Sequence, residues 1–228
     1  MKSSLSLSLV FTATLASPAA AQELISNGSF ESYTTCPDGY SQLHYAPPWH
    51  YPTQGTADYF HACSSHPDHG VPDNFGGSQS AFHGNAYAGL VVYAVQIPEY
   101  REYLQAPLVS PLVAGATYRF TMRLSLSEES YYSIDSIGAA FTTGSFMVPT
   151  LFTIGLTPDV ESAPGVFWDD EDNWMEFTQV FVAAGGGDHV TIGNFKDDAN
   201  TQAQDAQPGS YPTGTYYYID SISLQHVP

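Results

Sequence analysis

The terminal stretch 216-YYYIDSISLQ-225 carries an acid inside an apolar strand, and the pattern around it is the chain's most telling piece of potential chemistry. Tyr217 and Ile219 stand two apart, as one face of a strand requires, but the next apolar pair, Ile222 and Leu224, is out of phase with them. A slip of one residue at Asp220 or Ser221 predicts a β-bulge, a device that re-aims side chains near sites. A carboxylate turned this way suits a hard cation with oxygen ligands, whereas the plain alternative is an acid that caps a bulge or faces solvent.

Three other groups of residues bear on chemistry. His61, His66 and His69, with Asp58 and Asp68 close by, bracket Cys63 and have types that bind zinc or copper. Pro67 and Gly70 make that stretch a turn with no element to fix ligand directions, so exposed loop histidines are the simpler reading. The acids 169-DDED-172 lack the alternating pattern of a calcium loop and read as a solvated turn, and Asp197-Asp198 reads as turn capping. Among the aromatics, Trp49 and Tyr51 in 47-PPWHY-51 and Trp168 fall in predicted loops, where ring faces can pack on sugar rings. Tyr59, Tyr131 and Tyr132 are further candidates, and Trp174, which opens a strand, reads as core. No G-x-S-x-G or H-E-x-x-H occurs, and pairs among Glu102, Glu128 and Glu129 arise by chance in an acidic chain, so no enzyme is expected.

Position and charge narrow the partners. Lys2, the apolar run 5-LSLSLVFTATLA-16 and Ala19-Ala20-Ala21 form a signal-peptide pattern with cleavage expected before Gln22. The expected location is extracellular or at a cell surface, with the periplasm as an alternative, and no segment is long and apolar enough for a transmembrane helix. Loss of Lys2 leaves four basic residues of the original five against 23 acids, taking the formal charge from −18 to −19. That balance argues against nucleic acid or anionic membrane as a partner. Cys36 and Cys63, in an exported chain, are expected to form one disulfide.

These groups must be held by strands. In 117-TYRFTMRLSLSE-128 apolar and polar residues alternate with period two, the clearest strand in the chain. Further strands are expected at 86–93, 101–108, 135–142, 151–156, 174–183, 188–195 and 216–225, separated by Gly- and Pro-rich turns. No helical period is sustained. One all-β domain over 22–228 follows, an antiparallel β-sandwich of jelly-roll type, with residues 36–85 as a long loop region tied by the disulfide.

The opening 24-LISNGSFE-31 and the closing 218-YIDSISL-224 together resemble carbohydrate-binding modules and related galactose-binding-domain-like jelly rolls. The resemblance implies that 24–31 is a strand beside the last one. It also implies a structural calcium (Ca2+) held by Glu31, Asp220 and the carbonyl of Ser29. The elements 72-PDNFGG-77, 83-HGNAYAGL-90, 101-REYLQAPL-108, 125-SLSEESYYSIDSIGAAF-141 and 191-TIGNFKDDANT-201 resemble a domain of secreted and surface proteins of bacteria, especially gliding bacteria, often joined to outer-membrane-protein-A-like domains. The expected function is non-enzymatic binding of carbohydrate or another surface polymer. The alternative is a structural or adhesive component that contacts other surface proteins or itself.

Overall fold

The structure is a computed structural model that describes residues 22–206 and 214–228; the signal-like segment 1–21 lies outside the described residues. In chain order the strands are β1 (Asp58–His61), β2 (Asp73–Asn74), β3 (Gly77–Ser78), β4 (Ala86–Ala94), β5 (Leu104–Pro107), β6 (Thr117–Leu126) and β7 (Tyr132–Ile134). They continue with β8 (Gly138–Thr142), β9 (Val160–Glu161), β10 (Met175–Val182), β11 (His189–Gly193), β12 (Ala203–Asp205) and β13 (Gly214–Val227). Five strands in the order β1-β4-β13-β6-β10 form one sheet and four in the order β5-β11-β8-β9 form the other. Every pairing in both is antiparallel.

Period-two alternation explains how the two sheets close on one core. Ala88, Leu90 and Val92 of β4, Phe120, Met122 and Leu124 of β6 and Tyr217 and Ile219 of β13 point inward. They meet Leu104, Ala106, Ala139, Val190 and Ile192 of the second sheet, which makes the fold an antiparallel β-sandwich. The expected bulge is present. Asp220 pairs with Arg123 and Ser223 with Thr121, so three steps along β13 oppose two along β6, and Ser221 takes φ 50°. The extra residue restores the phase, and Ile222 and Leu224 join Tyr217 and Ile219 in the core.

The outer face of the five-stranded sheet carries a second apolar cluster of Phe60, Tyr87 and Tyr218, joined by Phe75, Trp174 and Tyr216. Residues 62–82 cover part of this face: Asn74 donates to Tyr87 Oη (2.8 Å) and accepts from Tyr218 Oη (2.6 Å), and Gln79 donates to Ser125 Oγ (2.6 Å). Gly89 is needed at its place in β4 because a Cβ there would overlap the Tyr216 ring, whose hydroxyl donates to Asp58 at 2.9 Å.

Two expected strands are not strands. Residues 24–31 make one isolated bridge, Ile25↔Leu108, next to the bridge Glu23↔Gln225, before reversing, with Asn27 and Phe30 at φ 54° and 60°. The Asn27 side chain closes that turn on both the amide and the carbonyl of Ser32, a local competitor with ladder pairing. The implied adjacency to the last strand holds even so: Leu24 N donates to Leu224 O and Ile222 N to Gly28 O. Residues 151–156 form one bridge, Tyr100↔Phe152, because their backbone groups bond to loop partners; Thr153 N donates to Glu99 O and Ile154 N to Tyr103 Oη. Conversely β1 lies within the expected loop region, and its four residues are all buried, so it shows no alternation to read.

Cys36 and Cys63 are bonded, with Cα atoms 5.7 Å apart across a sequence separation of 27. Closing a loop of that length stabilises the fold by about 3 kcal/mol in the chain-entropy account. The double variant Cys36→Ser/Cys63→Ser is expected to unfold roughly 6–12 °C below the parent in differential scanning calorimetry. An unchanged Tm would show that the loop is held by its packing alone.

Candidate functional site

The bulge places Asp220 at a corner where the chain's two ends meet the turn 82–85. The Asp220 carboxylate is fully buried; its Oδ2 accepts from His83 N (2.9 Å) and its Oδ1 from Ser221 N. Burial without a neighbouring cation pushes its pKa up to about 6, although those amides pull it back. Arg123, its partner across the ladder, is committed elsewhere, to Glu176. Glu31 reaches the same turn from the other side, accepting from Asn85 N at 2.8 Å, and its carboxylate fills the space above Gly84. Gly28, Ser29, His83 and Ser221 line a shallow depression at this corner. The structure therefore brings Glu31, Ser29 and Asp220 to one place. Among the described residues no three His, Cys, Asp or Glu side chains already surround a common point, so any cation here would draw on backbone carbonyls as well.

The three aromatic candidates fare differently. Trp49 is 1% exposed, packs on Phe30 with ring centroids 5.2 Å apart, and donates its Nε1–H to Asn27 O at 2.8 Å. It is a core residue and offers no face to a ligand, which corrects the loop-based expectation. Its loop folds inward because the ring is large and apolar and the Asn27 turn supplies the one acceptor its N–H requires. Tyr51 is half-buried against the core and donates to Ser41 O at 3.3 Å. Trp168 is 9% exposed and lies edge-on to Phe177 at 5.8 Å. It remains in the wall of a groove of about 280 Å³ with Glu161, Ser162, Glu176, Thr178 and Gln179.

A larger groove, of about 560 Å³, lies around Trp174, which the sequence assigns to the core. Ser78, Gln79, Ser80, Phe82, Asp172, Asn173 and Trp174 line it. Phe82 is 47% exposed and stands edge-to-face with the half-exposed Trp174, centroids 6.4 Å apart. The indole is pinned: its other side packs on Tyr87 at 5.7 Å and its Nε1–H donates to Ser80 O at 2.8 Å. Arg123 lies 4.4 Å above the centre of the Phe82 ring and pairs with Glu176, so both rings are immobilised before any ligand arrives. The 169–172 acids turn the chain here through Asp170, which accepts from the amides of Asp172 and Asn173 (3.0 and 2.8 Å), as expected of a capped turn. Trp174 opens a strand, a position that predicts core packing; it does pack, but on the outer face, where it stays half-exposed.

The histidines are less exposed than their loop suggests. His69 is fully buried among Tyr40, His66 and Phe75, and burial holds its pKa below the usual imidazole value. His61 is also buried and accepts from Cys63 N at 2.8 Å. Glu102 is buried too; it accepts from Thr56 N, Tyr100 Oη and Val91 N, which accounts for its carboxylate as a structural clamp between β4 and the loops that carry Thr56 and Tyr100. Asp197 caps its turn through Asn200 N, and Asp198 receives the fully buried Arg101 at 2.8 Å.

No family model matches the chain, and no curated protein does. Similar solved structures are carbohydrate-binding modules and adhesin domains. One is the CBM22-1 xylan-binding domain of Xyn10C from Paenibacillus barcinonensis, at 11% identity over 92% of this chain and 98% of that one, TM-score 0.47. The K3 adhesin domain of Lys-gingipain from Porphyromonas gingivalis is 13% identical over 90% and 98%, TM-score 0.43. TmCBM61 in complex with β-1,4-galactotriose is 13% identical over 91% and 100%, TM-score 0.40. Likeness at this level carries no argument about ligands. The sandwich assignment rests on the strand order and the shared core.

Proposed function

We propose that the protein is an exported, non-enzymatic carbohydrate-binding domain that takes glycan in the Phe82–Trp174 groove. The observation that carries this reading is the pair of solvent-facing rings fixed at the edge of a polar groove. Pyranose C–H faces stack on such rings, while Asp172, Asn173 and Ser80 offer hydrogen bonds to hydroxyls. Because the rings are already held, stacking does not have to offset the loss of side-chain freedom. The test is a polysaccharide panel in affinity gels with residues 22–228: retention by at least one polysaccharide, lost on Phe82→Ala, supports the reading, and a blank panel from folded protein sinks it.

Calcium belongs to the same proposal. Glu31, Asp220 and the Ser29 carbonyl supply oxygen donors of the hard type, and a cation would neutralise a buried carboxylate whose ladder partner Arg123 pairs with Glu176 instead. Calcium at about a hundred times its Kd is expected to add roughly 2.7 kcal/mol, read as a rise in Tm that chelator reverses. Asp220→Asn should abolish this response. A variant that keeps the response would place the ion elsewhere.

A second reading, adhesion through protein contacts, is favoured by one observation. Val180 and Val182, 49% and 66% exposed, stand on β10, an edge strand of the five-stranded sheet. Light scattering decides between them: a concentration-dependent dimer lost on Val182→Lys supports the contact surface, and a monomer at all concentrations removes it.

A further inference from the structure

His69 is a buried group that neither the sandwich nor the groove accounts for. A neutral imidazole carries one N–H donor and one bare acceptor nitrogen, and both ring nitrogens of His69 are buried with no hydrogen-bond partner. The ring is enclosed by other rings instead: Tyr40 stands edge-on with centroids 4.6 Å apart, His66 lies at 5.0 Å, Phe75 at 6.1 Å and Phe60 of β1 at 6.3 Å. Tyr40, 56% exposed, forms the outer wall, and its hydroxyl donates to Asp68 Oδ2 at 3.4 Å. The backbone around His69 joins the loop to its neighbours: His69 O accepts from His61 N (3.3 Å) and Asp68 O from Phe75 N (3.2 Å).

We propose that His69 is an acid-operated latch: neutral, it holds Tyr40 and loop 62–72 against the outer face of the five-stranded sheet, and protonated, it releases them. An imidazolium has two N–H donors and a full charge, and neither ring nitrogen has an acceptor where it sits. Ring faces offset only part of that cost. His66, on the same loop, opposes a second positive charge; Asp68 and Asp38 favour it, but neither bonds to a nitrogen of the ring. Phe60 and Phe75 are uncharged, and His61 at the end of β1 is itself buried, its Nδ1 taken by Cys63 N. In the unfolded chain the imidazole protonates near 6.5, and the buried ring resists protonation. The latch therefore contributes fully above that pH and is lost as pH falls below it. The disulfide and the bond from Ser64 Oγ to Pro37 O (2.7 Å) tie one end of the loop to residues 36–37, so release is a hinged local opening that leaves the sandwich closed. It uncovers the Phe60–Phe75 flank of the outer apolar cluster. None of this depends on what the Phe82–Trp174 groove binds.

Hydrogen exchange read by NMR on residues 22–228 tests the latch. After correction for intrinsic exchange, protection of the His61 and Phe75 amides is expected to fall roughly tenfold or more between pH ~7 and pH ~5, while the β6 amides keep theirs. His69→Phe fills the same aromatic enclosure without a titrating group and is expected to hold its protection at the lower pH. The His69 ring resonances of the parent give a second reading that needs no variant: they are expected to titrate below 6.5 and to shift together with those of Tyr40. Protection that is flat across this range, a fall that persists in His69→Phe, or a His69 ring that titrates at 6.5 or above overturns the latch.

Discussion

Trp174→Ala is expected to cost about thirtyfold or more in affinity for a retained glycan, the scale of an interface hot spot of 2 kcal/mol or above. The indole combines what such residues share: a large ring, a fixed orientation and a neighbour that shields it. Its N–H is already bound to Ser80 and it packs edge-to-face on Tyr87, so its solvent-exposed part contributes contact with a ligand at little entropic cost. The substitution also opens the outer apolar cluster and destabilises the fold. Phe82→Ala separates the two effects, because a half-exposed ring contributes less to folding than to a ligand stacked on it. Binding lost in both variants, with the Phe82 variant melting within a few degrees of the parent, is the expected result. Full binding by both would remove the groove as the site.

The second large effect concerns pH. Asp58 is buried beside Glu102, and burial raises its pKa to about 7 even though Ser41 N and Tyr216 Oη donate to it at 2.7 and 2.9 Å. In the unfolded chain the group titrates near 3.8. Between those values the unfolded state has released its proton and the folded state holds it, so folding loses stability as pH rises from about 4 to about 7. Above that the loss is constant, on the order of 4 kcal/mol. Asp220, raised to about 6 in the same sense, adds to this in the absence of calcium, and Asp159 is also raised. Asp135 and Asp188 have lowered pKa values and act oppositely, but only in the acid range where they protonate. Stability is therefore expected to peak in mildly acidic buffer and to decline toward pH 8, measured by urea unfolding in chelator. Asp58→Asn keeps an acceptor for Ser41 N and a partner for Tyr216 Oη without a charge. It should be more stable than the parent at pH 8 and no more stable at pH 5. Parallel pH profiles for the two proteins would overturn the assignment.

The sequence by itself determined the sandwich and its bulge. Alternation in 117–126 and the phase slip at Asp220 are local properties, set by which face of a pleat each side chain takes, and both survive folding unchanged. The disulfide was legible for a related reason, since two cysteines allow one intramolecular pairing. What a loop buries is not local. Trp49 sits in a Pro-rich loop yet enters the core, because the Asn27 turn places an acceptor against it from another part of the chain. Strand β1 shows no alternation because covering loops bury both of its faces, and the NGSF turn replaces a strand because its asparagine satisfies the backbone locally. The groove itself could not be read in advance. Phe82 belongs to a loop and Trp174 to the approach of an edge strand, and long-range contacts such as the bond from the indole to Ser80, across a separation of 94 residues, bring them together. Tertiary structure alone decided which aromatic rings face solvent, because exposure depends on what packs over a residue and not on the residue's own neighbours in sequence.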